Sequence, residues 1–430
     1  MNLPSPAANF APKALISVLI GALLCLPASL RGEILRDSRG RPVRYGGNLS
    51  AAPVNLPALR FRRVQTRAVW CSVVYNLDFP RCTDAAKFKR AFADVLAQLK
   101  RHNCNVLIFQ LRANCDASYL SRINPFSRWV TGREGQTLGT FDPLVHMVRE
   151  CRRSGIEFYA WLNPYRVTGA TSLSKNAYLA TLSPMNFARR RPDLVLASPT
   201  RSGRFALQLD PGRPEVIRHI LSTVQEILSR APVSGIVFDD YFYPYDPLLP
   251  GTDRASFLRF NPRRLSLEDW RRSNVNLLLR ECSRLCRSRR VRFGVSPFGI
   301  WANSKRFRSG SLTQGMESRQ DIFADTLYWL HQNYLDFVIP QVYWPFDHPK
   351  APYAAITDWW VLVARRYPRT ALWIGHSPGL WGPAELANQL RYNSVHPEIR
   401  GEAIFALRHL KGGKYTSVLK QCWPVPVRSR

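Results

Sequence analysis

The chain has 430 residues, 46% of them hydrophobic, with 12 Trp, 22 Phe and 16 Tyr. That content buries a sizeable core and excludes a disordered or coiled-coil chain, and a single long apolar run excludes a multi-span membrane protein. Lys and Arg number 61 against 30 Asp and Glu, a formal net charge of +31 spread along the whole length, which attracts polyanions such as nucleic acid, anionic lipid or an acidic wall polymer.

The first element in chain order is the apolar run at 14–26 (ALISVLIGALLCL), behind Lys13 and followed by Pro27, Ala28 and Ser29. It is too short to span a bilayer, so residues 1–32 read as a secretory signal and the protein as exported to the periplasm or cell envelope. Cys25 follows Leu24 rather than a small residue, so a lipid anchor there lacks support. Residues 33–60 read as a polar N-terminal linker and 61–430 as the folded unit. The other eight cysteines, Cys71, Cys82, Cys104, Cys115, Cys151, Cys282, Cys286 and Cys422, form no C-x-x-C pair and no zinc-spaced cluster with histidine. Buried free thiols are expected. No metal or cofactor is implied.

Eight β-like runs follow: 67–74 (RAVWCSVV), 105–112 (NVLIFQLR), 157–163 (EFYAWLN), 235–240 (GIVFDD), 292–297 (RFGVSP), 336–343 (DFVIPQVY), 371–376 (ALWIGH) and 402–407 (EAIFAL). Helical periodicity at 84–99, 143–154, 214–229, 267–287, 322–333, 353–366 and 383–392 separates them. Strands joined through helices lie parallel, and eight such units predict a closed (β/α)8 TIM barrel of the α/β class. No G-x-G-x-x-G follows the first strand, which argues against a dinucleotide-binding sheet. Long connections follow strands 3 and 4. In a barrel these sit at the C-terminal mouth, where active sites are built.

The strand ends carry the chemistry. Asn76 and Asp78 follow the first, and Arg112, with Asp116 just beyond, ends the second. Asn163 and Tyr165 end the third, Asp239, Asp240 and Tyr241 the fourth, and Gln341, Tyr343 and Trp344 the sixth. Carboxylates, amides and an arginine among aromatic rings describe a carbohydrate pocket. Glycoside hydrolysis takes two carboxyl groups, and crowded, desolvated ones keep a proton near neutral pH. Adjacent strand residues point to opposite faces, so Asp240 is expected in the pocket and Asp239 on a loop or an arginine. Asp116 is the candidate partner carboxylate. Arg112 suits a substrate carboxylate or a nearby aspartate.

The segments VWCSVVYNLDFP, FQLRANCDASYL, FDPLVHMVRECRRSGIEFYAWLNPYRV, LDPGRPEV, GIVFDDYFYPY, FGVSPFGIW and DFVIPQVYWPF occur in this order. They resemble the signature segments of the bacterial glycosyl-hydrolase-like family 10, over about residues 62–410. The resemblance implies an envelope barrel glycosidase whose catalytic Asp lies within Asp239-Asp240, and a family that includes an exported hydrolase of peptide-free peptidoglycan strands. It also implies that Asn76, Asp78, Arg112, Asp116, Asn163, Tyr165, Tyr241, Gln341, Tyr343 and Trp344 surround the pocket. The seventh strand's end, GHSPGLW, and the Arg408-His409 pair depart from the pattern.

The expected function is hydrolysis of a bacterial envelope polysaccharide, an anionic glycan, by carboxylate acid–base catalysis. A non-catalytic carbohydrate-binding barrel is the main alternative. A serine esterase using Ser377 in Gly375-His376-Ser377-Pro378-Gly379 is a third. No nucleic-acid motif accompanies the charge. Oligomeric state leaves no mark in the sequence.

Overall fold

The computed structural model describes residues 32–45, 50–246 and 248–428. The expected export signal, apart from Gly32, lies outside them. Eight strands close a barrel: β1 (Thr66–Cys71), β2 (Val106–Arg112), β3 (Glu157–Leu162), β4 (Gly235–Phe238), β5 (Arg292–Val295), β6 (Phe337–Val338), β7 (Ala371–His376) and β8 (Ile399–Ile404). Neighbours in sequence are neighbours in space, all pairs are parallel, and β8 closes onto β1.

A helix follows each strand in turn: α1 (Ala85–Arg101), α2 (Pro143–Arg153), α3 (Pro214–Arg230), α4 (Leu267–Ser288), α5 (Thr326–His331), α6 (Tyr353–Arg366), α7 (Pro383–Ser394) and α8 (Thr416–Cys422). Local chemistry sets their ends. Asp84 caps α1 by accepting from Lys87 N at 2.8 Å, and Ser266 caps α4 by accepting from Asp269 N at 3.2 Å. Pro143 and Pro214 open α2 and α3, where a missing N–H costs nothing.

The period-two alternation sorts each strand between two cores. In β2, Leu107 and Phe109 face the helices, while Val106 and Ile108 face the lumen. Trp70, Tyr159, Trp161, Phe337 and Trp373 fill that lumen. Such large rings leave no room elsewhere in the layer. A Cβ on Gly294 would stand 2.3 Å from the Phe337 ring, and one on Gly235 2.4 Å from Tyr159. The two glycines make space for the rings.

Two segments differ from expectation. Within residues 33–60, Glu33–Ile34 pairs antiparallel with Asn55–Leu56, and Leu35, Val43, Val54 and Leu56 are buried. Tyr45 donates to Asp358 on α6 at 3.1 Å, and Glu33 pairs with Arg391 on α7 at 2.6 Å. The stretch expected as a polar linker is a strap against the barrel, and its apolar residues are too widely spaced to show a period. The long connection after β3 carries a three-stranded antiparallel sheet of Arg166–Thr171, Val195–Pro199 and Phe205–Leu209. All eight described cysteines are buried and free.

Candidate active site

At the C-terminal mouth of the barrel lies a cleft of about 370 Å³. Its floor continues the lumen-facing rows by one or two steps: Trp70 and Ser72 from β1, Gln110 from β2, Trp161 from β3, Ser296 after β5, and Gln341 and Tyr343 after β6. Phe405, just past β8, joins them, and Tyr75, Leu77, Arg166 and Tyr241 form the rim. Among the described residues, Asp239 and Asp240 are the only carboxyl groups in this lining. Both enter the cleft because β4 ends at Phe238. Beyond it the chain turns, with Phe242 N donating to Asp240 O at 2.9 Å, and the strand's alternation no longer applies.

A chain of amides fixes Asp239. Gln110 Oε1 accepts from Ser72 Oγ, Val73 N and Val74 N, each at 3.1 Å. Its Nε2 must then donate, and does so to Asn163 Oδ1 at 2.7 Å, where Arg166 Nη2 also donates at 2.7 Å. That leaves Asn163 Nδ2 as a donor, and it meets Asp239 Oδ2. Trp161 Nε1 donates to the same oxygen at 3.2 Å. Asp240 Oδ2 accepts instead from the Tyr245 hydroxyl. The Oδ1 atom of each aspartate has no protein partner.

Burial pushes Asp239 up to about 7; the Arg166 cation opposes the shift and the Asp240 charge adds to it. Burial likewise pushes Asp240 up to about 6, against the Tyr245 hydrogen bond. Both carboxyls therefore hold a proton well above the usual carboxylate range. Four aromatic rings stand beside them. Trp70 meets Trp161 edge-on at 5.0 Å, Trp161 meets Phe405 at 6.5 Å, and Phe405 stacks on Tyr343 at 6.1 Å.

Comparison with known proteins decides the family. The family described as Glycosyl hydrolase-like 10 matches residues 65–378. Glycosyl hydrolase DigH of Escherichia coli (strain K12) is 35% identical over 367 residues, covering 79% of this chain and 82% of that protein. Glycosyl hydrolase YngK of Bacillus subtilis (strain 168) is 32% identical over 365 residues, covering 80% and 69%. The chain belongs to the glycosyl hydrolase-like 10 family. It is a glycoside hydrolase. Among solved structures, the PgaB (BpsB) glycoside hydrolase domain from Bordetella bronchiseptica superimposes with a TM-score of 0.51 at 13% identity, covering 83% of this chain and 98% of that one. The catalytic domain of a β-amylase from Paenibacillus polymyxa gives 0.54 at 12% identity, covering 85% and 99%. Both share the barrel fold.

The structure of this glycosidase divides the residues expected around the pocket. Asp239, Asp240, Tyr241, Gln341 and Tyr343 line the cleft. Asn163 is buried behind it and acts on Asp239. The others lie elsewhere, and Asp116 is the clearest correction. Its Oδ1 accepts from Ala113 N at 3.0 Å and Asn114 N at 2.8 Å, and its Oδ2 from Ser127 Oγ at 2.6 Å. Those bonds shape a buried loop and leave no oxygen for catalysis.

Asp78 accepts from Ser72 N at 2.8 Å and pairs with Arg408 at 3.2 Å, tying the end of β1 to the loop after β8. Asn76 donates to Phe79 O at 3.1 Å and Trp129 O at 2.6 Å. Arg112 is fully buried and does not line the cleft; its Nη1 donates to Asn163 O at 2.6 Å and Pro164 O at 2.9 Å. A register shift between Gln110 and Arg112 takes it out of the lumen-facing row. Tyr165 is wholly buried away from the cleft, and Trp344 packs edge-on against Phe298 at 5.3 Å.

Of the remaining site residues, Gln110, Trp161, Arg166 and Ser296 stand at strand ends that the sequence marks as a carbohydrate pocket, whereas Trp70, Ser72, Tyr245 and Phe405 carry no such mark. Counting inward by twos from the buried rows finds all of these except Arg166 and Tyr245. Among the described residues no group of three or more His, Cys, Asp or Glu is placed to hold a metal ion, and no helix is long and apolar enough to cross a membrane.

Proposed function

We propose that this glycoside hydrolase cleaves an anionic polysaccharide of the bacterial envelope, peptide-free peptidoglycan glycan strands foremost, with Asp240 as the proton-transferring residue. The observation that carries the chemistry is the pair of buried carboxyls, pushed up toward neutral pH, in a cleft walled by aromatic rings. An acid catalyst must alternate between protonated and ionised states. The Tyr245 hydroxyl can donate to an ionised Asp240 and accept from a protonated one, whereas the indole and amide N–H groups on Asp239 only donate. Asp240 is therefore the residue built to cycle.

The substrate reading rests on three supports. They are the net charge of +31, the Arg166 cation at the rim, and the family resemblance with its signal-like leader. A strand stripped of peptides exposes carboxylates that such a surface attracts. The esterase reading finds no support in the structure. Among the described residues no hydrogen bond joins Ser377 to His396 or His409, and His396 Nε2 lies 3.8 Å from Asp358 instead.

The test is incubation of the mature protein with intact and amidase-stripped peptidoglycan, followed by mass spectrometry of soluble saccharides, with Asp240→Asn alongside. Products from stripped strands with the wild type and none with the variant are expected. No product from any envelope polysaccharide would overturn the proposal in favour of a sugar-binding barrel.

A further inference from the structure

Two-carboxylate glycosidases place their groups on opposite sides of the scissile bond, about 5–5.5 Å apart for retention and about 6.5–9.5 Å for inversion. Among the described residues, the lining of this cleft holds no carboxyl group other than the adjacent Asp239 and Asp240. Asp239 and Asp240 spring from neighbouring α-carbons, about 3.8 Å apart, and both line the cleft, Asp239 bonded on the β3 side and Asp240 to its own loop. Asp78 and Asp116, the other acids near the strand ends, are consumed by structural bonds. Tyr241 and Tyr343 line the cleft, but burial and the two aspartates push both phenols up, so neither supplies a phenolate nucleophile. The described lining thus provides two carboxyl groups from adjacent residues and no third.

We infer that the nucleophile belongs to the substrate: the 2-acetamido group of an N-acetylhexosamine, its N–H held by Asp239, attacks the anomeric carbon while Asp240 serves as acid and then base. The inference rests on the proposed glycan substrate and specifies which group of that glycan takes part. Asp239 suits its role because three strands fix its orientation, and the two N–H donors on its Oδ2 favour the anion against the burial that raises it. Its Oδ1 is a buried acceptor that makes no hydrogen bond, and the acetamido N–H would supply one. Beside it, Trp70, Trp161, Phe405 and Tyr343 form an apolar cage of the kind an acetyl methyl group fills.

The steps balance. The acetamido carbonyl oxygen bonds to C1 as the bond from C1 to the departing sugar oxygen breaks, and Asp240 passes its proton to that oxygen. The positive charge of the resulting oxazolinium ion is stabilised by ionised Asp239. Water then attacks C1, gives its proton to Asp240, and displaces the acyl oxygen, which regenerates the acetamido group. Two displacements at C1 leave its configuration retained.

The experiment uses peptide-free glycan strands that are chemically de-N-acetylated and then re-acylated with acetyl or trifluoroacetyl groups. Fluorine withdraws electrons from the attacking carbonyl oxygen without altering the scissile bond. Re-acetylated strands are expected to be cut at the native rate. With trifluoroacetyl strands kcat/KM is expected to fall by at least about a hundredfold, and nuclear magnetic resonance of the first-formed product should show the retained anomer. Equal rates on the two substrates, or an inverted product, would overturn the inference while leaving the glycan reading intact. Failure to cut native or re-acetylated strands would overturn both.

Discussion

Asn163→Ala isolates the amide chain that orients Asp239. The substitution removes the Nδ2 donor to Asp239 Oδ2 and the Oδ1 acceptor shared by Gln110 and Arg166, and leaves the Trp161 bond in place. A hydrogen bond to a charged, buried acceptor contributes about 1.5–3 kcal/mol. The Asn163 donor stabilises the ionised carboxylate, so its loss favours the protonated form. At 1.36 kcal/mol per unit, Asp239 should titrate about 1–2 units higher, because the cleft stays buried. If catalysis needs ionised Asp239, the ascending limb of kcat/KM against pH moves upward from its starting value near 7. At pH 6.5 the rate then falls by roughly 10- to 100-fold. The assay is release of reducing ends from stripped glycan strands between pH 4 and 9, with thermal melting of the variant alongside. A limb that stays in place or moves to lower pH, with the rate reduced, would refute the argument and leave Asn163 a structural residue only.

Other consequences are as specific. The wild-type enzyme should show a bell-shaped profile with its optimum between about 6 and about 7, since its two carboxyls titrate there; a flat profile across that range would count against both aspartates. Burial pushes Glu385 from 4.5 up to about 7, so the folded state binds this proton more tightly than the unfolded chain. That stabilisation is complete below about 4.5 and lost as pH rises through about 7. Glu385→Gln keeps the acceptor for Phe346 N and Gln389 Nε2 and should gain about 1–3 kcal/mol over wild type at pH 8, with no gain at pH 4, read by denaturant unfolding. Gly294→Ala drives a methyl group into the Phe337 ring, 2.3 Å away, and should destabilise the barrel by roughly 1–3 kcal/mol or more; an unchanged melting temperature would contradict the packing. Ser377→Ala should leave glycan turnover unchanged.

The barrel was legible because its signals are local. All eight strands and the seven predicted helices stand where period-two runs and amphipathic runs placed them, with ends shifted by a few residues and the fifth helix shortened to Thr326–His331. The insertion sheet after β3 was not legible, since its strands pair within a connection and lack a sustained period. The site was read in part. Tyr241, Gln341 and Tyr343 lie in the cleft, as position at a strand end suggested. Asp116 and Arg112 have the same position in sequence, yet bond to loop backbone instead. A side chain at the mouth of a barrel can turn toward the cleft or tie down the loop behind it. Which one it does depends on partners distant in the chain.

The sequence by itself determined the barrel, the buried thiols, and an acidic pair at the end of the fourth strand, because alternation, helical periodicity and composition act over a few residues. Only the tertiary structure decided that both aspartates share the cleft. That outcome required β4 to stop at Phe238 and the chain to turn there, which releases Asp240 from the opposite face. It also decided their separate environments. Asp239 receives N–H donors from β3 through amides anchored on β1 and β2, and Asp240 receives a phenol from its own loop. Hydrogen bonds between residues 36 to 78 apart in the chain leave no local pattern, so their effect on a carboxyl group appears only once the barrel has closed.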